Sequence, residues 1–375
     1  MSFASRVSRQ NAAMASPTVP TRLPRDLAAP VVEPGPARAT PLPADRPVRW
    51  GVLAAGKFAG GFAENLALLP DAEIAAVGAR RRESAETFAE RYGARTAHEG
   101  YEALVADPDV DVVYVASPHA LHKEHVLLAF EAGKPVLCEK ALTLTGDEAA
   151  ELVAQARRRG LFFMEAMWMR CNPVIRRMQQ LLATGELGPV TQVRADIGFR
   201  VDAEPTDRLL DPALGGGALL DMGVYALTFA HLFLGEPARV AAVAARSEAG
   251  ADLNTAIALG YAGGAVAALT ASMVGPTPRT ASVTTDRGRF DLPDGFHHPR
   301  SATWTSGDHT ETIEGEVTGS GLADEAVEVM RCLRSGETES PLVPLDETVA
   351  LMRLMDDVRR QLGVTYAADA ASPAR

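Results

Sequence analysis

From Val48 onward, short apolar runs alternate with stretches that carry helical periodicity. "VRWGVLAAG" is an apolar strand ending in small residues, and "FAGGFAENLALL" after it reads as a helix. "AEIAAVGAR" is a second strand, and "SAETFAERYG" a helix closed by Gly93 as C-cap. "YEALVADP" is a short helix stopped by proline. "VDVVYVASP", "KPVLCEK" and "LFFMEAM" are further strands, separated by the helices "HALHKEHVLLAFEAG" and "LTGDEAAELVAQARRRG". Thr145 with Glu148 three residues later is a capping-box start for the last of these. Apolar strands that alternate with helices predict a doubly wound parallel sheet covered on both faces, over residues 47–168.

Past residue 169 the pattern changes. "PVIRRMQQLLATG" and "GGALLDMGVYALTFAHLFLG" read as helices. "VTQVRADIGF" alternates like a half-exposed strand. "ARVAAVAARS", "LNTAIALGYAGGAVAALTASMV", "RTASVTTDRGRFDLP" and "SATWTSGDHTETIEG" then follow as long strands, the second turning at "AGG" as a hairpin. Two helices, "LADEAVEVMRCLRSG" and "LDETVALMRLMDDVRRQLG", end the pattern. Grouped strands predict an α+β domain over 169–363 with a large, mostly antiparallel open sheet. The first 46 residues, rich in Pro, Ala and Arg and without periodicity, read as a disordered extension. Residues 364–375 read as a flexible tail.

Composition narrows the partners. The net charge of the 375 residues is −11, which argues against nucleic acid. No apolar run approaches the roughly 18 residues of a membrane span. Three cysteines, Cys138, Cys171 and Cys332, lack paired spacing, which suits a reducing, cytoplasmic setting, and Cys138 and Cys171 read as packed thiols. His119, His122 and His125 begin in a turn after Pro118 and drift apart around a helix, so no metal site is expected. Acidic runs such as "LADEAVEV" read as solvated helix faces.

The chemistry concentrates at strand ends. The first strand-to-helix turn, Ala54-Ala55-Gly56-Lys57-Phe58-Ala59, follows G-x-G-x-x-G/A with alanine at the first position. Gly56 stands where a side chain would block a pyrophosphate, and Ala59 where helix and strand pack closely. The second strand ends in Arg80, Arg81 and Arg82, then Ser84, with no carboxylate at the tip. Forked guanidinium donors suit a 2′-phosphate, so NADP(H) is favoured over NAD(H), led by Arg80. A solvated basic turn is the plainer alternative. Glu139 and Lys140 end a later strand of the same sheet, and Asp221 and Tyr225, four apart, share a helix face after Gly215, Gly216 and Gly217. Lys140, Asp221 and Tyr225 are therefore candidates to converge between the domains, with Glu139 anchoring Lys140 or meeting a ribose. A surface ion pair is the alternative for Glu139 and Lys140.

At these residues the sequence resembles the glucose–fructose oxidoreductase and inositol dehydrogenase (Gfo/Idh/MocA) family, over roughly residues 48 to 363. "RWGVLAAG", "SPHALHKEHVLLAFEAGKPVLCEKALTLT", "FFMEAMWMRCNP" and "GGGALLDMGVYAL" are most similar to the branch with dimeric dihydrodiol dehydrogenases and NADP-dependent D-xylose dehydrogenases. The resemblance implies a Rossmann domain and a second sheet domain that pairs two subunits. It implies Lys140 at the nicotinamide ribose and substrate hydroxyl, with Asp221 and Tyr225 as the helix aspartate and acid/base. Ser117, Pro118, His119 and His122 match a cofactor-lining loop, and Trp168 and Arg170 residues near nicotinamide and substrate. Ala141 departs from the family's E-K-P proline. The expected function is NADP(H)-dependent oxidoreduction of a sugar, polyol or cyclic diol, with the Lys140 ammonium favouring a Tyr225 phenolate. A non-catalytic dinucleotide-binding regulator of the same fold is the alternative.

Overall fold

The computed structural model describes residues 23, 39–204, 206–366 and 368–369. The first layer is built from β1 (Val48–Leu53), α1 (Lys57–Leu66), β2 (Ala72–Ala79), α2 (Arg82–Tyr92), β3 (Thr96–Glu99), α3 (Tyr101–Val105), β4 (Val112–Val115), α4 (His119–Glu131), β5 (Val136–Glu139), α5 (Gly146–Arg159) and β6 (Phe163–Ala166). All strand pairs are parallel, in the order β3-β2-β1-β4-β5-β6. β4, β5 and β6 are buried along their whole length, which is why they read as unbroken apolar runs. β3 is polar and escaped the pattern because it is a half-exposed edge. Strand order reverses between β1 and β4, and that reversal opens a crevice at the carboxyl ends of the strands.

The second layer adds α6 (Pro173–Ala183), β7 (Val190–Gly198), α7 (Val224–Leu234), β8 (Arg239–Arg246), β9 (Asp252–Gly260), β10 (Val266–Ser272), β11 (Ala281–Thr285), β12 (Arg289–Leu292), β13 (Ser301–Ser306), β14 (His309–Glu314), α8 (Leu322–Ser335) and α9 (Leu345–Leu362). The eight strands run β14-β13-β12-β11-β7-β10-β9-β8. Only β7 and β10 pair in parallel; the other ladders are antiparallel, as expected. β9 and β10 form the expected hairpin. "RTASVTTDRGRFDLP", read as one strand, is instead the hairpin β11–β12, because the Thr285 hydroxyl accepts from the Arg287 and Gly288 N–H groups while the Thr285 N–H donates to the Gly288 carbonyl, closing a turn. The apolar stretch Pro212–Leu234 is mostly buried, with α7 against β7 and β10.

Three expectations need correction. The late helices do not stay with the second sheet. α9 packs on α5 as well as on α7 and β8, and Gly146 donates its N–H to Asp356, so the chain's end straddles both layers. Most of the proposed N-terminal extension lies outside the described residues. Residues 39–46, however, are fastened to the fold: Ala39 and Leu42 donate to the carbonyls of Gly336 and Leu333. Val364 and Tyr366, assigned to a loose tail, are buried, and Asp369 forms a two-point ion pair with the buried Arg359.

Candidate active site

The crevice is a cleft of about 1340 Å³ between the two layers. At its first end, Gly56 precedes α1 in an extended conformation, and a Cβ there would enter open cleft space. Ala54 occupies the tight-turn position with φ of 77°, the left-handed region that explains a glycine preference there. Gly56, Lys57, Phe58, Arg80, Arg81 and Ser84 all line the cleft. Ala59 does not; it is fully buried, as a close-packing position should be. Arg81 donates to the Ser84 hydroxyl at 3.2 Å, while Arg80 is exposed and has no ion pair among the described residues. Tyr101, which nothing in the sequence singled out, adds an aromatic wall here, and burial raises its pKa against the charge of Arg80. This end carries cations, an aromatic ring and open glycine backbone, and no lining carboxylate among the described residues. That donor set fits a dinucleotide phosphate.

Ser117, Pro118, His119 and His122 line the middle of the cleft. Their histidines serve the protein rather than presenting free nitrogens. The His119 ring lies 3.2 Å from the Gly215 carbonyl and 3.1 Å from that of Lys140. His122 lies 2.8 Å from the Ser117 carbonyl and 3.1 Å from those of Ala141 and Leu142. Burial pushes both pKa values down, that of His122 to about 3. The two rings strut the segment after β5 against the α4 turn, and so set where Lys140 points. Gly215 must be glycine for this: its φ is 81°, and a Cβ would collide with Leu144 and His119.

At the second end, Lys140, Asp221, Tyr225 and Trp168 meet. The Lys140 Nζ donates to the Asp221 carbonyl at 2.5 Å and lies 3.5 Å from its carboxylate. It also sits 4.8 Å from the centre of the Tyr225 ring. A π-helical turn, Leu219–Gly223, joins directly to α7 and brings Asp221 and Tyr225 to one side. Burial raises the Asp221 pKa, but Lys140, then His119 and Arg208, pull it below the ordinary carboxylate value. Trp168, in a 3-10 turn, donates its indole N–H to the Tyr225 oxygen at 2.6 Å. Glu139 accepts from Tyr114 at 2.6 Å and from the Lys140 N–H at 3.3 Å. Burial lifts its pKa to about 7 against both partners.

Three site expectations fail here. Arg170 does not reach the cleft: it is 4% exposed and pairs with Glu347 on α9 at 2.7 Å. Two residues beyond Trp168, in a tight 3-10 turn, Arg170 points to a different side. Tyr225 is not biased toward phenolate. Burial, and next the charge of Glu139, raise its pKa well above the usual value, against the hydrogen bond from Trp168. "LADEAVEV" is not a solvated face, since Glu325 is fully buried and Glu328 nearly so. The sequence reading also missed His297 and His298. His298 stacks on Trp168 with ring centres 5.3 Å apart, and the His297 ring is 4.8 Å from that of Tyr225. Adjacent histidines in a loop carry no periodic signal, so only the fold reveals them.

Residues 48–167 match an oxidoreductase family with an NAD-binding Rossmann fold, and residues 175–291 match the GFO/IDH/MocA C-terminal domain. The chain is 37% identical over 334 residues to the trans-1,2-dihydrobenzene-1,2-diol dehydrogenase of Bos taurus, covering 86% of this chain and 99% of that protein. The enzyme of the same name from Homo sapiens is 36% identical over 333 residues, with the same coverage. Among solved structures, a 3-ketoreductase from Actinomadura kijaniata in complex with NADP and TDP-benzene superposes with a TM-score of 0.76 at 30% identity, over 86% of this chain and 99% of that one.

Proposed function

The chain belongs to the GFO/IDH/MocA oxidoreductase family and is an NAD(P)-dependent oxidoreductase of CH–OH groups; from that premise we propose NADP(H)-dependent hydride transfer at a hydroxyl or carbonyl carbon of a sugar, polyol or cyclic trans-diol. One observation carries the proposal. An ammonium, a phenol and an indole donor meet at one end of a cleft whose other end is lined by Arg80 and Arg81. The substrate class rests on the names of the diol dehydrogenases and the ketoreductase that this chain resembles.

The bound dinucleotide supplies the hydride donor or acceptor and, when oxidised, a positive charge. The residues at the cleft do the rest. Lys140, gripped by the Asp221 carbonyl and carboxylate, polarises the substrate oxygen. Tyr225 gives that oxygen its proton during reduction and takes one during oxidation. Its raised pKa suits the acid role directly. Trp168 fixes the phenol oxygen from one side, leaving its proton for the substrate. Arg80, beside Arg81 and Ser84 in the lining, would hold the 2′-phosphate.

Tyr225→Phe is expected to lose at least about a hundredfold in turnover while still binding NADP(H). Arg80→Ala is expected to lower the NADP+/NAD+ preference at least about tenfold, measured as the ratio of kcat/KM values. Near-normal turnover in the first, or an unchanged ratio in the second, would show that the assigned role is wrong. The outer face of the second sheet supports a homodimer: it exposes Val243 and Val266 among small residues such as Ala241, Ala256 and Ala268. Light scattering of the intact chain tests that assembly.

A further inference from the structure

We propose that the substrate end of the cleft reads an anionic group on the sugar or polyol, a phosphate ester or a carboxylate, through Arg279 and Arg208. The inference rests on the hydride-transfer reading and narrows its substrate class. The chain is acidic overall, at −11, yet the cleft concentrates cations. Lys57, Arg80 and Arg81 stand at the end suited to a dinucleotide phosphate, and Lys140 is held by Asp221. Arg208 and Arg279 remain, and neither the dinucleotide nor the acid/base pair accounts for them.

Both line the same cleft as the reacting groups. Arg208 reaches the Asp221 carboxylate only at 3.8 Å and is half-exposed. That carboxylate already serves Lys140, so among the described residues the guanidinium donors of Arg208 are mostly free. Arg279 is gripped by Asp294 along one edge, through Nε at 2.8 Å and Nη2 at 2.9 Å. The Nη1 side of Arg279 is left for a ligand, and together with the guanidinium of Arg208 it suits a phosphate or carboxylate.

The backbone singles out Arg279 as well. Among the described residues only Ala54 and Arg279 are non-glycine positions with positive φ, 77° and 53°, and both line the cleft. An arginine in that conformation persists only where its surroundings over-determine it. Here they do. The Arg279 N–H donates to Asp196 at 3.0 Å, and its carbonyl accepts from Gly295 and Phe296. Glycine would sit there with less strain, so the fold keeps a guanidinium against the local preference.

The test is calorimetric titration of the NADPH-saturated full chain with a matched trio: D-glucose, D-glucuronate and D-glucose 6-phosphate. At least one anionic member is expected to bind roughly tenfold or more tighter than glucose, with a preference that weakens as salt rises. Which member wins separates carboxylate from phosphate. Arg279→Gly, which suits the backbone and so preserves the fold, and Arg208→Gln are each expected to remove most of the preference. Equal affinities, a preference that survives both substitutions, or no binding of any member overturns the inference. Turnover of neutral polyols would keep the hydride-transfer reading alive in that event. Anion binding without turnover of any polyol, charged or neutral, would sink that reading and leave the subsite.

Discussion

Replacing Lys140 with methionine separates what this side chain does for stability from what it does for chemistry. Methionine fills similar space, so no large cavity opens. What is lost is the partner of a buried carboxylate: the Lys140 and Asp221 side chains are 8% and 15% exposed. Removing one member of a buried pair costs about 3–5 kcal/mol. Arg208, 3.8 Å from the same oxygen but half-exposed, recovers part of that. The expected loss is therefore about 2–3 kcal/mol, or a fall in Tm of roughly 4–12 °C at about 2–4 °C per kcal/mol. Turnover, followed by NADPH absorbance, should fall at least about a hundredfold. Adding Asp221→Asn removes the stranded charge, so Lys140→Met/Asp221→Asn should regain at least about 1 kcal/mol of stability without regaining activity. The pH dependence follows from the depressed Asp221 pKa. Its contribution is present above the unfolded value of 3.8 and is lost as pH falls through the lower folded value. The gap between wild type and Lys140→Met should thus close in acid. A Lys140→Met variant as stable as wild type at neutral pH, or a double variant no more stable than the single one, would refute the buried-pair argument. Retained turnover would refute the polariser.

The remaining expectations concern neighbouring features. Trp168→Phe keeps the ring but deletes the donor to Tyr225, and one hydrogen bond of about 1 kcal/mol corresponds to a loss of about fivefold in kcat. Because that bond lowers the Tyr225 pKa, the alkaline limb of the rate profile should move up in the variant, and an unmoved limb would contradict the assignment. Glu325 is fully buried, neither carboxylate oxygen has a hydrogen-bond partner among the described residues, and burial, then Glu139, hold its pKa well above 4.5. A raised folded pKa means its contribution is favourable below about 4.5 and erodes as pH rises. Glu325→Gln should therefore gain Tm over wild type as pH rises above about 4.5, whereas a pH-independent difference would mean that Glu325 does not titrate in this way. Ala54→Gly relieves a left-handed alanine, and the gain should be at most about 1 kcal/mol in thermal unfolding with cofactor affinity retained. A marked loss would show that the turn needs the methyl group.

Much of the site was legible because the signals behind it are local. An unbroken apolar run marks a strand covered on both faces, and its last residues must lie at the sheet's edge. Gly56, Arg80 and Lys140 could be placed at the cleft from that rule alone. The spacing of Asp221 and Tyr225 survived even a π-helical turn, since four residues still span close to one full turn. Arg170 failed because a 3-10 turn rotates faster than the pattern of its neighbours reveals, and Glu347, far along the chain, captured it.

The sequence by itself determined the two layers, the order of most of their elements, the glycine turn and the basic tip of the second strand. Each follows from periodicity, steric freedom or side-chain type within a few residues. Only the tertiary structure decided that Glu325 is dry, that His297 and His298 brace Tyr225 and Trp168, and that Arg279 faces the cleft. Those outcomes depend on which distant surface closes over a residue. Burial and charge pairing between distant segments are settled when the layers dock, and no local pattern records them.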